Sequence, residues 1–383
     1  MSRPTRTVEE ARADLEVPQA LLRRSGFAAA LPLFAADLDD AADLGQARQV
    51  VSSHGRRLWG EAVRGDPADD RPLYWARLTL TARLRAWRPA FPLPDADRAD
   101  LLARLEHASR GHDDLVFPPD DGLLRVIVTG FDPFGLDADI RRSNPSGVAA
   151  ITLHGTDLTV HGRRAVLRAA LFPVRWRDFT DGMVERALLP HYTAEAGPAD
   201  AVVTVSQGRP GSFDLEVYNG AWRGGGTDND GRAAEGQVPV SPEVPAPRPQ
   251  PQWTTTTLPY AEIAAAGTGR YPVRGNTEVT EIPAGGGEPV VRPDGPTPGS
   301  TARAGGGGDY LSNEIAYRNT LLRDATGRPV AAGHVHTPVL AFAAGNTGAV
   351  TDPEFEDTRT AIVAQTRAIV AAALEYGTRP DEK

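Results

Sequence analysis

The chain contains no cysteine, which excludes disulfides, thiolate metal sites and a cysteine nucleophile. It also lacks any apolar run long enough to span a bilayer, and its opening MSRPTRTVEEARADLEV has no continuous apolar core of the signal-peptide kind. The cytoplasm is therefore the expected location. Positive charge is in deficit: the formal net charge is −9 and no block of basic residues compensates locally, so neither nucleic acid nor a membrane surface is an expected partner. Lysine is almost missing, Lys383 being the only one, and no function follows from that. There is no convincing internal repeat.

What is present describes an ordinary two-domain protein. A length of 383 residues with 40% hydrophobic content supports a full-sized core, while 39 Gly and 33 Pro predict long irregular connections. From Thr7 to about Ser109, apolar residues recur at three and four spacing, as in 20–44, 47–63 and 73–87. Asp66, Pro67, Pro89, Pro92 and Pro94 punctuate them. This predicts an all-helical domain over 1–118, joined by LVFPPDDG at 115–122 to a second domain over 119–383. The helical part offers no chemistry. In the second domain, candidate strands at 123–129, 165–174, 201–206, 278–282 and 330–336 alternate with helical patterns at 179–189, 260–266, 312–323 and 358–376. That alternation predicts an α/β sheet covered by helices. Two insertions near 237–252 and 283–308 resist regular structure and read either as walls or lids of a site or as disorder.

The stretch GGGGDYLSNEIAYRNTLL at 305–322 runs from a glycine loop into a helix and places Ser312 near the unpaired amides of a first helical turn, where negative charge is stabilised. Serine there is either a nucleophile or a simple N-cap. A serine nucleophile needs a base, and that base profits from a carboxylate. His334 and His336, in GHVHTP at the end of a predicted strand, are the candidates, and His336 is adjacent to the strand's exit. Being two apart, they also fit one half of a metal site, or a chance pair with both rings merely hydrogen-bonded. Glu216, in GSFDLEVYNGAWR, is a candidate acid, but spacing alone does not choose it over Asp214.

With those residues in hand, 123–376 resembles the pyroglutamyl-peptidase I family of cysteine peptidases. The resemblance rests on VTGFDPFG at 128–135, SNPS at 143–146, VSQGRPG at 205–211, RGGGTDNDGR at 223–232, TTTTLPYAEI at 254–263, GGDYLSNEIAY at 307–317 and GHVHTP at 333–338. It implies a three-layer α/β/α sandwich of phosphorylase/hydrolase-like type, with Phe131 and Phe134 gripping a pyrrolidone ring and Asn144 and Gln207 near the substrate. Ser312, His336 and Glu216 fall on the catalytic positions, with serine standing where the family has cysteine. A cysteine thiol, of reference pKa about 8.5, ionises beside histidine and a helix N-terminus, whereas serine must lose its proton during attack. A serine hydrolase, a silent binding protein and a deliberate Cys→Ser substitution all account for that change. The leading expectation is an omega peptidase that cleaves pyroglutamyl or related lactam amides without cofactor or metal. Behind it come a pyroglutamyl-peptide binder and a metal hydrolase using His334 and His336. The expected partner is a peptide or small molecule bearing a pyroglutamyl-like group, and family members are often homo-oligomers.

Overall fold

In the computed structural model, residues 6–66, 68–120, 122–193 and 197–377 are described. Pro67, Lys383 and the first five residues lie outside them. Six helices come first: α1 (Val8–Arg12), α2 (Glu16–Ser25), α3 (Ala30–Asp39), α4 (Leu44–Ala62), α5 (Asp70–Ala86) and α6 (Asp95–Ser109). The stretch 20–44, expected as one helical segment, is broken at Gly26, which caps α2 in the left-handed region at φ 81°, a conformation glycine adopts without a Cβ penalty. Asp43 and Asp69 cap α4 and α5 through their carboxylates.

The second part contains β1 (Leu124–Phe131), α7 (Pro145–Leu153), β2 (Asp157–Val160), β3 (Arg163–Phe172), α8 (Trp176–Thr180), α9 (Met183–Thr193), β4 (Ala201–Gln207) and β5 (Phe213–Glu216). Then follow β6 (Tyr218–Gly220), β7 (Trp222–Thr227), β8 (Ala233–Gln237), β9 (Trp253–Thr255), α10 (Tyr260–Ala265), β10 (Val273–Asn276), β11 (Val279–Ile282), β12 (Val290–Arg292) and β13 (Thr301–Ala304). The described chain ends with α11 (Leu311–Thr326), β14 (Ala331–Thr337) and α12 (Pro353–Gly377). Seven strands form one sheet in the order β10-β5-β14-β4-β1-β3-β2. Its centre is parallel; β5 runs against β14, and β2 against β3.

Alternate residues of the central strands enter two cores, as the two-residue period requires. Leu124, Val126, Val128, Val203 and Val335 face Ile151 of α7, Ile362 and Ile369 of α12, and the N-terminal helices through Leu73 and Trp75. Ile127, Phe172, Val202 and Ala332 face Val184 and Leu188 of α9 and Ile315 and Leu322 of α11. The molecule is thus a mixed α/β protein with helices on both sheet faces and a helical N-terminal region packed on one of them. Among the described residues no helix is long and apolar enough to cross a membrane.

Two expectations are corrected. The insertion 283–308 is not irregular: β11, β12 and β13 form an antiparallel sheet, so β11, expected within the α/β alternation, belongs outside the main sheet. Its organising group is Glu281, which is buried and accepts from Thr297 N at 2.7 Å, Thr297 Oγ1 at 2.7 Å and Arg292 Nε at 2.8 Å. RGGGTDNDGR spans the turn of a hairpin in which β7 pairs with β8.

Candidate active site

One face of the sheet carries two cross-strand rows of polar side chains. At the edge where β4 and β14 end, register aligns Arg274 (β10), Asp214 (β5), His336 (β14) and Ser206 (β4); one pleat deeper lie Asn276, Glu216, His334 and Thr204. The carboxyl ends of parallel strands are where open α/β sheets gather their sites. The structure separates the two acids that spacing left equivalent. Glu216, 1% exposed, accepts from His336 Nδ1 at 2.6 Å through Oε1 and from Asn276 Nδ2 at 2.8 Å through Oε2. Asp214 instead accepts from Arg209 Nε at 2.6 Å and Arg274 Nε at 2.5 Å.

With Nδ1 donating to Glu216, the neutral ring of His336 has Nε2 as its basic nitrogen. Among the described residues Nε2 has no hydrogen-bond partner. His334 differs. Its Nδ1 lies 2.8 Å from Thr204 Oγ1 and its Nε2 lies 2.8 Å from Ser206 Oγ. Because Thr204 Oγ1 also donates to Gly333 O at 3.1 Å, the network closes with Nδ1–H donating to Thr204 and Nε2 accepting from Ser206. Burial, reinforced by His336 beside it, pushes the His334 imidazole well below the ordinary histidine range. With both nitrogens occupied, His334 is a neutral brace and not half of a metal pair. Among the described residues no group of three or more His, Asp or Glu side chains is placed to hold a metal ion.

Ser312 is the second residue of α11 and not its cap; Tyr310 occupies that position and offers no side-chain cap. The first intrahelical bond is Glu314 N to Tyr310 O, 3.1 Å, so the amides of Leu311, Ser312 and Asn313 precede the helical ladder, as the first N–H groups of a helix do. Asn313 anchors this start by gripping Gly220, accepting from its N at 2.9 Å and donating to its O at 2.8 Å. Glu314 adds a buried forked pair with Arg223, both bonds 2.6 Å. The Ser312 hydroxyl donates to Gly307 O at 3.0 Å, and no hydrogen bond joins it to His336. The two side chains are neighbours across Gly307, whose position is so close to the imidazole that a Cβ there would lie 3.3 Å from His336 Cε1.

Beside Ser312 lies a cavity of about 100 Å³ walled by Phe131, Phe134, Val174, Tyr310 and Leu311, with Asn144, Ser206 and Gln207 completing it. Gln207 Oε1 accepts from Leu340 N at 3.3 Å. Asn144 is less available: it caps α7, its Oδ1 accepting from Ser146 N at 3.1 Å and Ser146 Oγ at 2.8 Å while Nδ2 donates to Asp132 O at 2.9 Å. It braces the wall. Phe131 stacks on Phe179 at 6.1 Å between centroids, inclined by 14°.

The helical region, to which the sequence attached no chemistry, supports the same wall. Asp132, between the two phenylalanines, is buried and paired with Arg77 at 2.5 Å and Arg110 at 2.6 Å. Arg110 continues to Glu106 at 2.8 Å, and Glu106 to Arg175 at 3.1 Å. Asp70 accepts from Ser143 Oγ at 2.5 Å and Asn144 N at 2.7 Å. Asn276 was also missed: it sits on a four-residue strand with a glycine inside it, and nothing local marks it; Gly307 and Tyr310 lie in the stretch singled out around Ser312 but were given no role there.

The fold and these side chains define an α/β protein that sets a buried carboxylate–imidazole pair beside a serine at a helix start and a small aromatic-walled cavity. The chain belongs to the family described by the PA0049 N-terminal domain, which matches residues 1–106, and the PA0049 C-terminal domain, which matches residues 125–248 and 273–341. It is 32% identical over 476 aligned positions to the uncharacterized protein PA0049 of Pseudomonas aeruginosa, spanning 95% of this chain and 86% of that one. Solved structures similar to it include a mutant pyrrolidone carboxyl peptidase of Pyrococcus furiosus, 20% identical over 66% of this chain and 99% of that one with a TM-score of 0.42. A second structure of that peptidase, described together with its cys-free mutant, has the same identity and TM-score and is covered in full.

Proposed function

We propose that the chain hydrolyses an N-terminal pyroglutamyl, or related lactam or acyl, amide bond, on a three-layer α/β/α framework of phosphorylase/hydrolase-like type spanning 119–383, with 1–118 as a separate helical domain. The observation that carries the proposal is the buried Glu216–His336 pair, 2.6 Å apart, whose ring carbon Cε1 lies against Gly307, the residue to which Ser312 donates. Ser312 turns from Gly307 O toward His336, whose Nε2 takes the hydroxyl proton as Oγ attacks the carbonyl carbon. Glu216 stabilises the resulting imidazolium, and the amides of 311–313 hold the oxyanion. Collapse breaks the C–N bond, His336 returns its proton to the leaving amine, and water, deprotonated by the same nitrogen, releases the acyl group. A cavity of about 100 Å³ accepts one small uncharged ring between Phe131 and Phe134.

The hydrogen bond from Ser312 to Gly307 O, made in place of one to His336, favours a second reading in which the site binds such a group without cutting it. A chromogenic pyroglutamyl amide separates the two. Turnover by the wild type, abolished in both Ser312→Ala and His336→Ala, is the expected result. Measurable binding with no turnover would establish the binder.

A further inference from the structure

A cationic pair at the far end of the outer polar row is absent from the scheme above. Arg209 and Arg274 each place Nε on a different oxygen of Asp214, at 2.6 and 2.5 Å. Asp214 is buried, its side chain 3% exposed, whereas the arginine side chains are 51% and 50% exposed. One carboxylate thus fixes two guanidinium groups, while Glu216, whose charge also acts on Arg274, is turned to His336 and Asn276. Since Nε is the atom engaged, the terminal N–H groups are left outward; those of Arg209 have no partner among the described residues, and Arg274 makes one long bond, Nη2 to Ser212 Oγ at 3.4 Å. Two oriented forks with spare donors suit a carboxylate.

Position says which part of a substrate would meet them. Across the sheet the acyl cavity lies over β1 and β4, the imidazole over β14, and the arginines over β5 and beyond it on β10. With strands about 4.8 Å apart, Arg274 stands about 10 Å from His336, on the side away from the cavity. Arg209 follows Gly208, which is pressed so closely on His336 that a Cβ there would lie 2.6 Å from the histidine Cβ. An acyl group seated in the cavity therefore sends its leaving group over His336 toward this pair. Resting on the hydrolase reading, we propose that Arg209 and Arg274 bind a carboxylate one or two residues beyond the scissile amide, so that the substrates are short acyl-peptides with a free acidic end.

The test compares a pyroglutamyl dipeptide with its C-terminal amide. The wild type is expected to prefer the acid about tenfold in kcat/KM, the preference shrinking with added salt and falling toward one in Arg209→Gln and in Arg274→Gln. Equal rates for acid and amide would overturn the carboxylate site while leaving the hydrolase reading in place. Turnover of neither would sink the hydrolase reading, and calorimetry of the same two ligands on the wild type would then decide: tighter binding of the acid supports the site, and equal or absent binding overturns it. The wild-type comparison stands even where a variant fails to fold.

Discussion

On the proposed hydrolase reading, the choice of oxygen over sulfur at position 312 governs how the reaction runs. The hydroxyl is held by a backbone carbonyl at 3.0 Å, so attack requires it to break that bond, reach His336 and lose its proton in the same event. A thiol placed there would ionise beforehand, favoured by the imidazole and the unladdered amides of the helix start. Ser312→Cys is accordingly expected to raise turnover of a pyroglutamyl amide by about tenfold or more, measured as kcat alongside an iodoacetamide-labelling pH profile. An unchanged or lower rate would mean the pocket is fitted to oxygen. The helix start at Ser312 and the strand end at His336 were legible because motif and local pattern agreed on them. The acid was not separable by pattern alone, since Asp214 and Glu216 share a face of β5. Their roles are set by Arg209, Arg274 and Asn276, which lie 5, 60 and 60 residues from their respective partners in the chain.

Between elements, the glycine strap at 305–308 joins the small β11–β13 sheet to the start of α11 and passes over the carboxylate–imidazole pair. Gly306 N donates to Tyr218 O at 2.8 Å, and its carbonyl accepts from Asn276 Nδ2 at 2.9 Å. A Cβ at Gly306 would collide with Glu216 Oε2. Gly306→Ala must therefore displace either the strap or the acid, and a displacement of about 1 Å at a catalytic group costs about a hundredfold in rate. The expected outcome is that loss in kcat with cooperative thermal unfolding retained; full activity would show that the strap is free to move. Long apolar strands such as β1, β3, β4 and β14 were readable because their residues alone determine a buried strand. The strands of 283–308 were not, because glycine and proline dominate there and the organising interactions, Glu281 with Thr297 and Arg292, span 16 and 11 residues.

For the molecule as a whole, the unread feature is how the N-terminal helices take hold of the site's walls. Composition and periodicity identify helices over the first hundred residues, but no local signal says that Asp70 will be buried against the start of α7. Its carboxyl is pushed up to about 7, first by burial and then by the charge of Asp69, against the lowering effect of bonds from Ser143 and Asn144. In the unfolded chain the same group titrates near 4. Because the folded state holds this proton more tightly, the stabilising contribution is complete below about pH 4 and is lost as pH rises to about 7. Asp70→Asn imitates the protonated acid, its amide donating to Ser143 Oγ and its oxygen accepting from Asn144 N. Denaturant midpoints between pH 4 and 8 are expected to fall with pH in the wild type more steeply than in Asp70→Asn. Because the charge of Asp69 acts on Asp70 and the reverse, the difference between the curves reports the titration of this coupled pair. Parallel curves would mean that Asp70 holds no proton in the folded protein over this range, and would overturn the reading of a raised carboxyl at the start of α7.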